Sequence, residues 1–285
     1  MARATAALEL SLHERRFKMS ADSKWSDLTP RILSAVLLIA VCGIEIYIGG
    51  LPFSILVWIA CGIMTWELAR MFQARFPLAL GVLSAAVLLV AEKLPIVLES
   101  SVMSLPLMLA AVLAGVGQVP KDRWIYGLFG IWIMAGSYAF LVLRHLAGLE
   151  WFIWLVAVVV ISDVLGYFAG RILGGPKFWP RVSPKKTWSG TAAGWIGAAV
   201  IGVIFAVVIE SQYAIWLLAL VSAIAAFAGQ MGDIAESAVK RRVGIKDSSS
   251  LIPGHGGLLD RFDAMLGASA FVFFLWLIAA LPEAI

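Results

Sequence analysis

Charge is scarce in this chain. Asp, Glu, Lys and Arg make up 14% of the 285 residues while 61% are hydrophobic, and the mean hydropathy is +0.94. A soluble globular domain carries about 25% charged residues, so this composition excludes that class and indicates an integral membrane protein. Cysteine is nearly absent too. Cys42 and Cys61 lie inside apolar runs with no motif spacing, which argues against a disulfide or a thiolate metal site and leaves them as small packing residues. Nothing suggests the period-two alternation of a membrane barrel, so each apolar run is read as a helix that satisfies its own backbone. Residues 1–29 carry Arg15, Arg16, Lys18 and Lys24 but no uninterrupted apolar core, and they do not read as a cleavable signal peptide. The first span is expected to be an uncleaved anchor. Part of that tail, from Ala4 to Met19, fits either an amphipathic surface helix or a disordered segment.

Apolar runs are abundant. Those long enough for a hydrocarbon core of ~30 Å occupy 31–49, 52–70, 77–92, 102–118, 124–143, 150–171, 191–209, 212–231 and 264–282. The expectation is an all-α polytopic protein with about nine transmembrane helices and a cytoplasmic N-terminus. It comprises a basic tail (1–30), scaffold helices (31–149) and a catalytic region (150–285) with cytoplasmic loops 172–190 and 232–263. The third and fourth runs are the weakest, because Glu92, Lys93, Pro95 and Glu99 crowd the link and Pro106 interrupts the fourth. Charge tests this topology independently of hydropathy: of the 22 Lys and Arg, all but Lys93 and Arg144 fall on the cytoplasmic side, as the positive-inside rule requires.

The remaining charge is concentrated. Residues 229–263 hold Asp233, Glu236, Asp247, Asp260 and Asp263, five Lys or Arg, His255 and a Gly-Gly pair. Asp233, Glu236 and Lys240 are spaced to share one helix face, and Asp260 and Asp263 likewise one segment later. Converging carboxylates flanked by bases suit a hard divalent cation carrying a phosphate-rich substrate. The alternative is a solvated charged loop, but Gly254, Gly256 and Gly257 among the charges favour a backbone that turns left-handed or approaches a ligand closely. A second basic loop, Ser183-Pro184-Lys185-Lys186-Thr187-Trp188-Ser189-Gly190, precedes a helix expected near Thr191. Paired lysines, hydroxyls and a helix N-terminus form a setting for phosphate capture, against a plain positive-inside loop. Trp179 and Trp188 flank it at headgroup depth. Among acids inside spans, Glu45 and Glu67 read as snorkelling or interhelical hydrogen-bonding groups. Asp163, two turns before a cytoplasmic end, reads as a cavity residue, with a structural ion pair as the alternative.

The run Ser237-x-x-Lys240-Arg241, Lys246-Asp247 and His255-Gly256-Gly257-x-x-Asp260-Arg261-x-Asp263 resembles the signature of the phosphatidate cytidylyltransferases, the CDP-diacylglycerol synthases. The segment from Ile161 to Arg171 and the Ser-Pro-Lys-Lys-Thr loop resemble segments of the same family; at the position of Ser189 that family commonly has Glu, which puts an acid role there in doubt. The resemblance implies transfer of CMP from CTP to phosphatidate, with pyrophosphate released and no protein nucleophile. It implies metal-binding acids at Asp233, Asp260, Asp263 and Glu236, and catalytic roles for these aspartates with Lys240 and Asp163. Substrate-binding roles fall to Ser183, Lys185, Lys186, Thr187, Lys246, Asp247, His255, Gly256, Gly257 and Arg261. The implied cofactor is Mg²⁺, as one or two divalent cations with a monovalent cation left open. The implied partners are CTP, phosphatidic acid and membrane lipid, with a homodimer left open and no nucleic acid. The expected location is a bacterial inner (plasma) membrane with the site facing the cytoplasm. Three rivals remain. An ion-coupled transporter would show repeated halves with broken helices, a CDP-alcohol phosphotransferase would show a different Asp and Gly arrangement that is not found, and an enzyme acting on another lipid phosphate is the nearest alternative.

Overall fold

The computed structural model describes residues 28–93, 104–210 and 213–280. Among these, nine helices follow the apolar runs: α1 (Leu28–Ile48), α2 (Gly50–Met71), α3 (Pro77–Lys93), α4 (Ser104–Val116), α5 (Arg123–Val142), α6 (Leu149–Ile172), α7 (Trp188–Val208), α8 (Ile215–Arg242) and α9 (Leu259–Ala280). A π turn, Leu143–Ala147, extends α5. Six of the helices are long and apolar enough to cross a membrane, namely α2, α5 with its π turn, and α6 to α9, so the chain is an all-α multi-pass membrane protein. Among the described residues, six of the nine expected spans meet that length and composition. At ~1.5 Å per residue, the 17 residues of α3 and 13 of α4 fall short of a ~30 Å core. In α1 the apolar part is Val36–Ile48. The link 94–103 and the segment Ala4–Met19 lie outside the described residues.

Packing follows the chain. Helices α2 to α5 contact one another, α6 to α8 form a second set, and α9 lies against both α8 and α5 and so joins them. The buried contact surface includes Cys61, Met64 and Leu68 of α2, Met134 of α5, Leu155 of α6 and Leu266 of α9. Cys61 is a packing residue, its Sγ lying 3.6 Å from the Met134 Sδ. Helix α1 sits at the periphery against α2 and α6, with no fully buried hydrophobic side chain among its described residues. Between α8 and α9 the approach is backbone to backbone: a Cβ at Gly232 would lie 2.5 Å from the Asp263 carbonyl oxygen and 3.1 Å from the Gly267 Cα. Small residues at such a crossing let helices approach closely without a hydrophobic driving force between them. Here they bring the backbone of α9 at Asp263 against α8 at Gly232, next to Asp233.

The basic loop holds a short β-hairpin. Strands β1 (Lys177–Trp179) and β2 (Ser183–Thr187) pair antiparallel, with Lys177 opposite Thr187 and Trp179 opposite Ser183. The Phe178 ring packs on Trp188 at 4.6 Å between centroids, supplying an apolar contact that a two-stranded ribbon lacks by itself. At the opposite end of the bundle stand the two bases that charge counting set apart. The Arg144 guanidinium donates to the carbonyls of Ile46 at 2.8 Å and Tyr47 at 3.2 Å, closing the C-terminus of α1. Lys93 pairs with Glu92, which also accepts from Ser54 and Trp58.

Candidate active site

The hairpin leads directly into α7. Thr187 caps that helix, its Oγ1 accepting from the Gly190 N–H at 3.2 Å, so α7 begins three residues earlier than expected. The Ser189 hydroxyl donates to the Gly174 carbonyl and closes the loop. Beside this helix start lies a cavity of about 450 Å³ whose lining includes Arg171, Lys177, Lys185, Lys186, Asp163 and Gln230. Four bases and a helix N-terminus around one cavity make a site for a polyanion. Lys185 is exposed while Lys186 reaches inward to Asp233 Oδ2 at 2.5 Å and the Gln230 carbonyl at 3.4 Å.

Gln230 organises this wall, although the sequence reading passed over it. Its amide donates to Ser162 Oγ at 3.0 Å and accepts from Trp195 Nε1 at 3.0 Å. A glutamine inside an apolar run is a signal that could have found it, since a buried amide must be partnered. Six residues further along α8, Glu236 is fully buried. Its Oε1 has no hydrogen-bond partner and its Oε2 meets the Lys240 ammonium. Lys240 also donates to Asp260 Oδ1 at 2.6 Å, so the predicted face of α8 does converge with the start of α9.

Asp260 is committed on all sides. Its Oδ2 accepts from the Ser248 N–H (2.8 Å), the Ser248 hydroxyl (2.9 Å) and the Gly257 N–H (2.8 Å). Glu67 of α2 completes the arrangement, fully buried and accepting from Ser249 Oγ (2.6 Å), Ser248 Oγ (3.3 Å), Leu258 N–H (2.9 Å) and Leu259 N–H (2.7 Å). It neutralises the positive end of α9, where backbone donors have no intrahelical partner. The glycines answer to these carboxylates: Gly256 adopts φ +84°, where a Cβ would lie 2.8 Å from Asp260 Oδ2, and a Cβ at Gly257 would collide with Ser248 and Glu67. His255 faces α1, its Nδ1 2.8 Å from Ser34 Oγ, and its carbonyl accepts from Arg261 at 2.7 and 3.0 Å. Lys246 and Asp247 stand exposed. His255, Gly256, Gly257 and Arg261, expected to contact substrate, lie together at and before the start of α9.

Among the described residues no three His, Cys, Asp or Glu side chains stand close enough together to hold a metal ion. Asp233 and Asp260, expected to share an ion, are engaged by different lysines, Lys186 and Lys240. Asp163 feels the charges of Lys186 and Asp233, and Asp263 those of Asp233, Lys240 and Asp163, so these acids and two lysines border one region without forming a metal-binding set. Asp163 also lines a second cavity, of about 570 Å³, bounded by apolar residues of α1, α2, α5 and α6 and by Asp260, Arg261 and Asp263 of α9. Its wall residues Ile39, Ile59 and Val160 are 71%, 54% and 54% exposed, so it opens on the bundle flank. Asp163 thus stands between a basic cavity and an apolar one.

Comparison with known proteins bears on this geometry. The chain matches the model of the cytidylyltransferase family over residues 29–279. It is similar to the phosphatidate cytidylyltransferase of Bacillus subtilis, 32% identical over 262 residues that cover 87% of this chain and 97% of the relative. It is also similar to that of Brucella abortus, 34% identical over 262 residues, 90% of this chain and 96% of the relative. A third relative, from Staphylococcus saprophyticus, is 30% identical over 245 residues, covering 83% and 94%.

Proposed function

The chain belongs to the cytidylyltransferase family, and we propose that it is a phosphatidate cytidylyltransferase that uses CTP and phosphatidate to make CDP-diacylglycerol and pyrophosphate. The observation that carries this reading is the position of Asp163, which lines both the basic cavity and the apolar one. A reaction joining a water-soluble triphosphate to a diacyl lipid needs two such approaches meeting at one point. Phosphatidate cannot readily leave the bilayer, because each acyl CH₂ brought into water costs ~0.8 kcal/mol. The nucleotide comes to the lipid.

In the basic cavity Arg171, Lys177, Lys185 and Lys186 hold the triphosphate and orient its β- and γ-phosphates. A phosphate oxygen of phosphatidate attacks the α-phosphorus of CTP, one P–O bond forms as the bond to the β-phosphate breaks, and pyrophosphate leaves with the electron pair. No proton moves and no protein nucleophile is needed, so catalysis is positioning and charge stabilisation. A divalent cation would supply charge neutralisation at the leaving pyrophosphate, but Asp163, Asp233 and Asp263 do not stand close enough together to hold one, so charge stabilisation is assigned here to the bases of the cavity. Lys186 ties Asp233 to the phosphates' side of the cavity. Lys240, Glu236 and Asp260 keep α8 and α9 in register behind it. The site faces the cytoplasm of a bacterial cell, where CTP is made, and the N-terminus lies on the same side by the distribution of Lys and Arg.

Purified protein incubated with CTP labelled at the α-phosphorus and separately with phosphatidate, lysophosphatidate and an isoprenoid phosphate tests this. Label passing into the lipid phase with phosphatidate, and only weakly with the others, is the expected outcome. Preferred labelling of the isoprenoid phosphate reassigns the substrate, and no transfer to any lipid refutes the reaction.

A further inference from the structure

Resting on the reading of the chain as a phosphatidate cytidylyltransferase, we infer that Phe53, Phe140 and Phe152 form the floor of an acyl-chain groove and set the chain length this enzyme prefers. The apolar cavity has Asp163, Asp260 and Asp263 at one end and Phe53, Phe140 and Phe152 at the other. Its depth can be read on two helices. Phe152 and Asp163 are eleven positions apart on α6, and Phe53 and Met64 are eleven positions apart on α2. At ~1.5 Å rise per residue each interval is ~16 Å, about half of a ~30 Å hydrocarbon core and thus the depth of one leaflet. A lipid with its phosphate beside Arg261 and the acids therefore has one leaflet's depth of groove for a chain.

The floor is closed by aromatic packing. Phe152 meets Phe53 edge to face at 5.3 Å between centroids and Phe140 at 5.9 Å, and all three rings are buried. What lies behind them is polar: Phe53 packs edge-on against His145 at 6.1 Å, and His145 Nε2 is 3.0 Å from Ser54 Oγ, which donates to Glu92. A chain reaching beyond the rings would leave apolar surroundings and displace partners of a buried carboxylate, which is unfavourable. The rings thus separate an apolar groove from a polar cluster at the far end of the bundle. A chain too short leaves the groove's end unfilled, and a chain too long meets the floor.

The test is a chain-length profile. Wild type, Phe152→Leu and Val57→Phe are incubated with CTP and a series of phosphatidates of twelve to twenty carbons per chain, and kcat/KM is taken for each, with melting temperature read on the same samples. Phe152→Leu deepens the groove while keeping apolar fill, and Val57→Phe places a ring in its wall. The expected result is a shift of the optimum to longer chains in Phe152→Leu, the ratio of long to short rising about tenfold for two more buried methylenes at ~0.8 kcal/mol each. An opposite shift is expected in Val57→Phe. Should melting show that Val57→Phe is not folded, Ile46→Trp on peripheral α1 replaces it, with the same shift towards short chains expected. An unmoved optimum in folded variants, or an equal loss at every length, overturns the floor while leaving the reaction standing. Absence of product from wild type at every length refutes the reaction itself and the floor with it.

Discussion

Glu67 is a buried carboxylate with no base paired to it among the described residues. Its four hydrogen-bond donors come from two serine hydroxyls and the first backbone amides of α9. Hydrogen bonds to a charged group contribute ~1.5–3 kcal/mol each, so Glu67→Gln, which keeps the shape and loses the charge, should lower unfolding free energy by ~2–3 kcal/mol. A detergent-solubilised melt that does not move would remove Glu67 from this account. Asp233 is a different case, being half exposed and bonded to Lys186. Asp233→Asn and Asp163→Asn should each cut turnover by ~10²–10³-fold, the order found when one electrostatic catalytic group is lost, with no change in melting temperature. Asp260→Asn should show both losses, since one oxygen faces Lys240 and the other holds Ser248 and Gly257.

At the scale of elements, the site depends on where helices begin. Helix α7 starts at a Thr187 cap, and Thr187→Ala should cost ~1 kcal/mol and weaken CTP use, because the same helix end faces the basic cavity. A KM for CTP that stays at the wild-type value would separate the cap from the site. Gly232→Ala should do more, pushing α8 from α9 at the Asp263 carbonyl and parting the acids; activity near wild type would contradict the close crossing. Much of this was legible beforehand. The i, i+3, i+7 spacing of Asp233, Glu236 and Lys240 did lie on one helix, and the apolar runs did become helices, because helical period and hydropathy are local properties. The partners of Glu67 were not legible, since they lie some 180 positions away and nothing local marks a carboxylate as the cap of a distant helix. Nor was the hairpin, whose aromatic contact, Phe178 on Trp188, is hidden in a run that reads only as basic. The glycines around His255 signalled close approach correctly, but what approaches them is the protein's own Asp260 and Glu67.

Across the whole molecule, charge separates the two ends of the bundle. Lys93 and Arg144 gather opposite the acids and lysines of the site, and sidedness can be checked directly. In a background with Cys42→Ala and Cys61→Ala, a cysteine at Lys185 should react with a membrane-impermeant maleimide only when the cytoplasmic face is exposed. Labelling in intact cells would invert the topology. The central claim is that two cavities deliver two substrates to one point, and two-substrate steady-state kinetics on Lys185→Ala, Val57→Phe and Asp163→Asn tests it most directly. The account predicts that the first raises KM for CTP alone by about tenfold or more, the second KM for phosphatidate alone, and that the third lowers kcat with both KM values near wild type. If Lys185→Ala and Val57→Phe instead raise the same KM, the two cavities serve one substrate and the account is wrong.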